Sequence, residues 1–254
     1  MRSIATLPDL FYLSPMTFMR KITRSVIPLS ILIISGSFYT PQSSIVGAWH
    51  EKMEDDEAVL ICKDGYMVVT EFNQVNTQFS YCTGGTYKEK NDQFIITVDF
   101  TTRKKEIEYI GTQRVMKYSI SGDKISVIKD DGTTRVLTRM DDGSGELAGV
   151  WRLVSRMNNG KTDSIGKDSR ETLKIISGKR FQWVTFDPEK NEFVGGGGGN
   201  YIYKEGKYSE NIECYAKNSY KVGTSVVFDA FVNNNSWTIK GKGVEEVWRK
   251  VDSR

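Results

Sequence analysis

One histidine, three cysteines and a scatter of carboxylates are what this chain offers to chemistry. His50 stands beside Trp49 with no second histidine, so neither a histidine metal pair nor a catalytic base set can be assembled from it. A surface position is the expectation for it, with axial ligation of a haem as the alternative. Asp55-Asp56-Glu57 and Asp141-Asp142 read as solvated loops, and no motif assigns roles to the carboxylates. The sequence therefore predicts no catalytic residue, no metal ligand and no cofactor. Cys62 and Cys82 flank neighbouring strands, and a bridge between them is open if the chain reaches an oxidising compartment. Cys214 reads as a small buried hydrophobe rather than a reactive thiol. Gly195–Gly199 is followed by a strand, not by Gly-Lys-Ser/Thr and a helix, so it is neither a phosphate loop nor a dinucleotide fingerprint. A loose or tightly packed strand entry where side chains would clash is the plain account of it, with a mobile lip at the barrel mouth as the functional alternative.

The elements that must position these residues occur twice. Ile45-Val46-Gly47-Ala48-Trp49 returns as Leu147-Ala148-Gly149-Val150-Trp151, and Phe72, Tyr87 and Phe94 return as Phe186, Tyr201 and Tyr208. Ile110-Gly111-Thr112 returns as Val222-Gly223-Thr224, and Val136–Arg139 as Val247–Lys250. Ordered anchors with slowly drifting offsets imply a tandem duplication, and a period near a hundred residues implies domains rather than a solenoid of about 20–50-residue repeats. The domains expected are 45–141 and 146–252.

Residues 1–37 stand apart. Arg20-Lys21 and Arg24 precede the apolar run Val26–Ile34 and the small residues Ser35-Gly36-Ser37, the order of an export signal peptide. That run falls well short of the about 20 apolar residues that span a bilayer. The expectation is a bacterial chain, periplasmic or secreted, without stable membrane insertion after signal cleavage, and monomeric. Without the four basic and one acidic residues of that segment, 31 charges of each sign remain. This balance removes the electrostatic argument for a nucleic-acid partner.

Helical periodicity is nearly absent from the rest, while period-two runs rich in β-branched and aromatic residues recur every 8–12 residues. Turn signals such as Lys63-Asp64-Gly65, Ser121-Gly122-Asp123 and Glu205-Gly206-Lys207 separate them. Eight consecutive antiparallel strands per repeat favour closure, which removes exposed edges. The fold class predicted is all-β: two tandem eight-stranded antiparallel barrels.

Gly47-x-Trp49 and Gly149-x-Trp151 on the first strand of each repeat, with Arg249 on the last, resemble the lipocalin signature. The second repeat is similar to bacterial secreted lipocalin-like proteins through Phe181-x-Trp183, Gly197–Tyr201, Tyr208-x-Glu210-x-Ile212-Glu213 and Glu246–Arg249. The resemblance implies a calycin-type barrel with a small-molecule-binding role, its base closed by Trp49 and Trp151 with Arg249 packed across the indole. In the first repeat Thr138 takes the place of Arg249, with Arg139 one position on.

Strand alternation places Phe94, Ile96, Val98 and Phe100 inward, and with them their counterparts Tyr208, Glu210, Ile212 and Cys214. Phe181, Trp183, Tyr201, Phe228 and Trp237 point inward by the same rule. The carboxylate of Glu210 thus replaces Ile96. Either it satisfies a hydrogen-bond partner inside a filled barrel, or it anchors a ligand against aromatic walls. The function predicted is binding of an amphipathic or ring-containing small molecule by Phe181, Trp183, Tyr201, Glu210, Phe228 and Trp237. The alternative is a non-catalytic interaction module that binds a protein or glycan through its barrel loops.

Overall fold

The computed structural model describes residues 44–129, 132–165, 170–217 and 219–251. Residues 1–37, expected to be an export signal, lie outside these residues. The first barrel is an up-and-down meander of eight strands. They are β1 (Gly47–Met53), β2 (Asp56–Lys63), β3 (Tyr66–Asn73), β4 (Phe79–Lys90), β5 (Gln93–Thr101), β6 (Gln113–Ser121), β7 (Lys124–Ile128) and β8 (Thr134–Asp141). Pairing of β1 with β8 closes the ring.

The second barrel repeats the plan with β9 (Gly149–Asn158), β10 (Lys161–Ser164), β11 (Glu171–Ile176), β12 (Arg180–Asp187), β13 (Glu192–Lys204), β14 (Lys207–Tyr215), β15 (Ser225–Asn233), β16 (Ser236–Gly241) and β17 (Val244–Lys250). Here β9 and β17 close an eight-stranded ring, and β10 is an extra hairpin strand on the far end of β9. Closing each eight-stranded ring pairs its first strand with its last, so that β10 alone stands outside the rings with an open side. Asp64-Gly65 and Glu205-Gly206 turn with positive φ at both positions, as two-residue hairpins require.

Both copies build their base alike. Trp49 Nε1 donates to the Ile45 carbonyl at 2.8 Å, and Trp151 Nε1 to the Leu147 carbonyl at 2.9 Å. Gly47 has φ +124°, and a side chain there would meet the Asp141 carbonyl oxygen at 2.2 Å, so the glycine of G-x-W is sterically imposed.

The cation over each indole comes from the last strand, at a position that corrects the expectation for Arg249. Ladder register pairs Trp49 with Arg139 and Trp151 with Lys250. Arg139 lies 3.8 Å from the Trp49 ring centroid and Lys250 Nζ lies 5.8 Å from that of Trp151. Arg249 pairs with Arg152 on the opposite face of the sheet and is exposed. A one-residue shift along a strand reverses the face, so Arg249 cannot cover the base.

Two bulges redirect residues that alternation sends inward. On β5, Val98 pairs with Gly85 and Phe100 with Gly84, leaving Asp99 as the extra residue; on β14, Ile212 pairs with Gly199 and Cys214 with Gly198, leaving Glu213. Beyond each bulge the face flips. Phe100 and Cys214 consequently leave the barrel interiors and join a buried cluster between the barrels, with Val59, Ile61, Tyr66, Val68 and Cys82 from one and Val150, Leu173, Ile175, Val184 and Phe186 from the other. The Phe100 and Phe186 rings meet at 5.3 Å across this seam. The described residues from 44 to 251 accordingly fall in one compact unit.

The cysteine pairing also needs correction. All three thiols are free: Cys62 faces the first barrel's interior, whereas Cys82 faces the seam, on the other side of the sheet. Their side chains diverge, so no bridge can join them. Burial pushes the Cys82 thiol up to about 12, partly offset by the hydrogen bond from Thr70, and that of Cys214 further still. Both are inert thiols in the folded state.

Asp141, read as part of a solvated loop, is a junction. Its Oδ1 accepts from the amides of Ala48, Gly143 and Gly178, and its Oδ2 from Ser177 Oγ and the Lys179 amide. One carboxylate thus ties the first barrel's closing strands to the β11–β12 turn of the second.

Candidate functional site

The glycine run belongs to the second barrel's wall, packed on both faces. A side chain at Gly199 would meet the Asn211 carbonyl oxygen at 1.9 Å, the bulge contact that Gly85 repeats against Thr97 at the same distance. At Gly198 it would meet Gln182 Oε1 at 2.4 Å on the outer face, and at Gly197 it would meet Trp183 Nε1 at 2.9 Å on the inner one. The run is therefore required for close approach, and it holds a place for the Trp183 indole.

Below Trp183 the interior is filled. Phe181, Tyr208, Trp151, Trp237 and Trp248 are almost wholly buried. Tyr208 meets Trp237 edge-on at 4.9 Å, and Trp237 stacks with Trp248 at 5.9 Å. Phe228 lies against Tyr208, while Tyr201 donates its hydroxyl to the Ser177 carbonyl at 2.9 Å.

Glu210 sits in this packed region with two partners. Lys174 Nζ donates to its Oε1 at 2.6 Å and the Tyr208 hydroxyl donates to the same oxygen at 2.8 Å. Lys174, on the inward face of β11, is only 4% exposed, and its ammonium lies 4.8–5.8 Å from the ring centroids of Phe181, Tyr208, Trp237 and Trp248. A buried carboxylate matched by an ammonium, a phenol and aromatic faces is satisfied without any ligand. Burial, and then the charge of Glu210 and the hydrogen bond to it, push the Tyr208 pKa well up and keep the phenol a donor. A second inward network lies nearer the mouth: Arg156 donates to Glu246 at 2.7 and 2.9 Å, and Trp248 Nε1 donates to the other oxygen of Glu246 at 3.1 Å.

The open space is at that mouth, a cavity of about 450 Å3 between the ends of β9, β11, β12, β13 and β14. Trp183 and Tyr215 form its aromatic wall, edge to face at 5.4 Å. Thr172 and Thr185 bond to each other at 2.9 Å beside it. Arg156, Arg170 and Lys217 line the opening, and no carboxylate does among the described residues. Lys221 adds a fourth cation against the Tyr215 ring, 4.9 Å from its centroid.

Of the six residues that the sequence selects for ligand binding, Trp183 alone lines this cavity. Phe181, Tyr201, Glu210, Phe228 and Trp237 come together beneath it, packed against one another. Sequence reasoning missed Tyr215, because the bulge at Glu213 turns it inward, and missed Lys174, which aligns with Leu60 at the offset that aligns Glu210 with Ile96. His50 is also placed: its Nδ1 lies 2.7 Å from Glu57 Oε1 on the outside of the first barrel.

No family model and no curated protein matches the chain. Among solved structures it is similar to a lipocalin-like protein from Bacteroides uniformis, 19% identical, covering 42% of this chain and 100% of that one at a TM-score of 0.35. It is also similar to an uncharacterized protein from Bacteroides eggerthii, 14% identical, covering 41% of this chain and 98% of that one at a TM-score of 0.33.

Proposed function

We propose that this chain is a small-molecule-binding protein that holds an amphipathic, ring-containing acid at the mouth of its second barrel. One observation carries the reading: an open cavity of about 450 Å3, with the Trp183–Tyr215 corner on one side and, among the described residues, only cationic charge at its opening. That volume falls within the about 300–1,000 Å3 typical of small-ligand clefts. A planar ring would lie against the indole and phenol faces. An acidic group would meet Arg170 and Lys217, since Arg156 is already engaged by Glu246. The N-terminal basic and apolar segment supports export to the periplasm or medium as part of the same reading. The interaction-module reading has the exposed outer-face residues Ile202, Val227 and Phe231 in its favour. They amount to one aromatic and two aliphatics rather than an aromatic strip, and the concave aromatic corner at the mouth favours the binder.

The probe 1-anilinonaphthalene-8-sulfonate, a ring-bearing anion, tests this. Saturable binding with a fluorescence increase is expected for the folded protein. Trp183→Ala should weaken it at least tenfold, and Arg170→Glu with Lys217→Glu by several-fold. Binding that does not saturate, or that is indifferent to all three changes, would remove the mouth as the site.

A further inference from the structure

A second cavity of about 280 Å3 lies where the barrels meet. It is independent of the mouth, and its wall is drawn from both halves. Tyr66 and Asp99 come from the first barrel, Arg152 and Glu171 from the second, and Leu173 and Phe186 supply an apolar floor.

Its polar groups are unusual for a seam. Tyr66 is 5% exposed, and its hydroxyl forms no hydrogen bond of full geometry. Burial first, then the charge of the nearby Asp99 and its pull on the phenolic proton, then the charge of Glu171, push its pKa well up, so it remains a donor. Arg152 donates one terminal amine to Glu171 at 2.9 Å, and its buried Nε has no acceptor. Buried polar groups in folded proteins nearly always have partners. Arg152 Nε without an acceptor, and from the opposite barrel the Tyr66 phenol held beside Asp99 without a bond of full geometry, meet on one cavity and mark a place for oxygen acceptors.

Ligand class follows from the rest of the wall. Asp64, Asp99 and Glu171 only accept when ionised, so an anionic ligand would be repelled and its partner oxygens misplaced. A cation would satisfy the carboxylates but leave the phenol and guanidinium donors unmatched. A hydroxyl group both donates and accepts, and a carbon skeleton with one apolar face suits Phe186 and Leu173. The volume falls just below the about 300 Å3 at which drug-sized clefts begin, which sets the size. We propose that the inter-barrel cavity binds an uncharged polyhydroxylated molecule of about one sugar ring, its apolar face on Phe186 and Leu173 and its hydroxyls on Tyr66, Arg152 and Asp99.

Saturation-transfer NMR on the full chain tests this with D-glucose, D-galactose, D-glucosamine and D-glucuronate, each at millimolar concentration. Transfer to at least one neutral hexose is expected, several-fold above that to the charged pair. Tyr66→Phe removes only the hydroxyl and should reduce the signal at least fivefold. Ile110→Trp, which fills the cavity from its half-buried edge, should abolish the signal even if Tyr66→Phe proves unstable. Trp183→Ala should leave it unchanged, which separates this site from the barrel mouth. The proposal is overturned by the absence of transfer to either hexose, by a preference for a charged sugar, by a signal that survives Ile110→Trp, or by a signal that depends on Trp183.

Discussion

The two barrels solve the same packing problem with opposite chemistry at one spot. In the first, Leu60 on β2 and Ile96 on β5 belong to one apolar cluster in the middle of the barrel. At the equivalent places in the second stand Lys174 and Glu210, joined at 2.6 Å and ringed by four aromatic side chains. The first barrel keeps charge inside too, but at its end, where Arg135 bonds Glu51 and Glu71. What this teaches is that the charge pair is one coupled unit. A carboxylate alone at position 210 or an ammonium alone at position 174 would be an unmatched buried ion, whereas the two together, with Tyr208, are satisfied.

The largest expected effect breaks that unit. Lys174→Leu leaves Glu210 buried with only the Tyr208 hydroxyl, and should cost about 3–5 kcal/mol in denaturant melts. Glu210→Ile alone should cost a comparable amount by stranding Lys174. The double substitution installs the first barrel's own pair, and should return stability to wild type or exceed it by about 1–4 kcal/mol. Additive losses in the cycle would mean that the two positions do not act together, and the comparison would fail.

The repeat, the strand ladder and closure were all legible in sequence, because period-two apolar runs, positive-φ turn residues and G-x-W glycines are local signals. Face assignment was legible only as far as each bulge. Phe94 and Ile96 point inward as alternation requires, but Phe100 does not, because Asp99 is inserted into the ladder opposite Gly84-Gly85. The glycine pair was the available sign of a bulge, and its recurrence as Gly198-Gly199 would have predicted both the outward turn of Cys214 and the inward turn of Tyr215. The seam was illegible for a different reason. Val59, Ile61, Val68, Val150, Ile175 and Val184 give the outer faces of β2, β3, β9, β11 and β12 apolar residues, and the sequence alone does not say what covers them. Lys174 could have been found, since it departs from Leu60 in the same register as Glu210 departs from Ile96.

A middle-sized effect sharpens the comparison at the seam. Asp141 holds the β11–β12 turn through Ser177, Gly178 and Lys179, so the barrels are bound to each other by a charged acceptor as well as by apolar packing. Asp141→Ala should lower stability by about 1–3 kcal/mol through the unsatisfied donors it leaves. Hydrogen exchange should show faster exchange at the amides of Gly178 and Lys179, while the strands β14 to β16, remote from the junction, stay protected. Uniform loosening of both barrels would instead place the junction's importance in folding as a whole.

The smallest expected effect distinguishes the two barrel bases. Arg139 covers Trp49 at 3.8 Å and also donates to the carbonyls of Val46 and Ser44 at 3.0 and 2.6 Å, so it closes the base by stacking and by fastening the strand's approach. Lys250 is a compact charge 5.8 Å from the Trp151 ring, near the limit at which a cation over an aromatic face still counts. Arg139→Ala should therefore cost about 1–2 kcal/mol, and Lys250→Ala about 0.5 kcal/mol or less. Arg249→Ala, on the exposed outer face, should fall within about 0.5 kcal/mol of wild type. Denaturant midpoints with unchanged slopes report these differences directly. If Arg249→Ala proved the costliest of the three, the register that puts Lys250 opposite Trp151 would be wrong. If Lys250→Ala matched Arg139→Ala, the two bases would be closed equally well, and the difference between the barrels would be confined to the Lys174–Glu210 pair and the mouth above it.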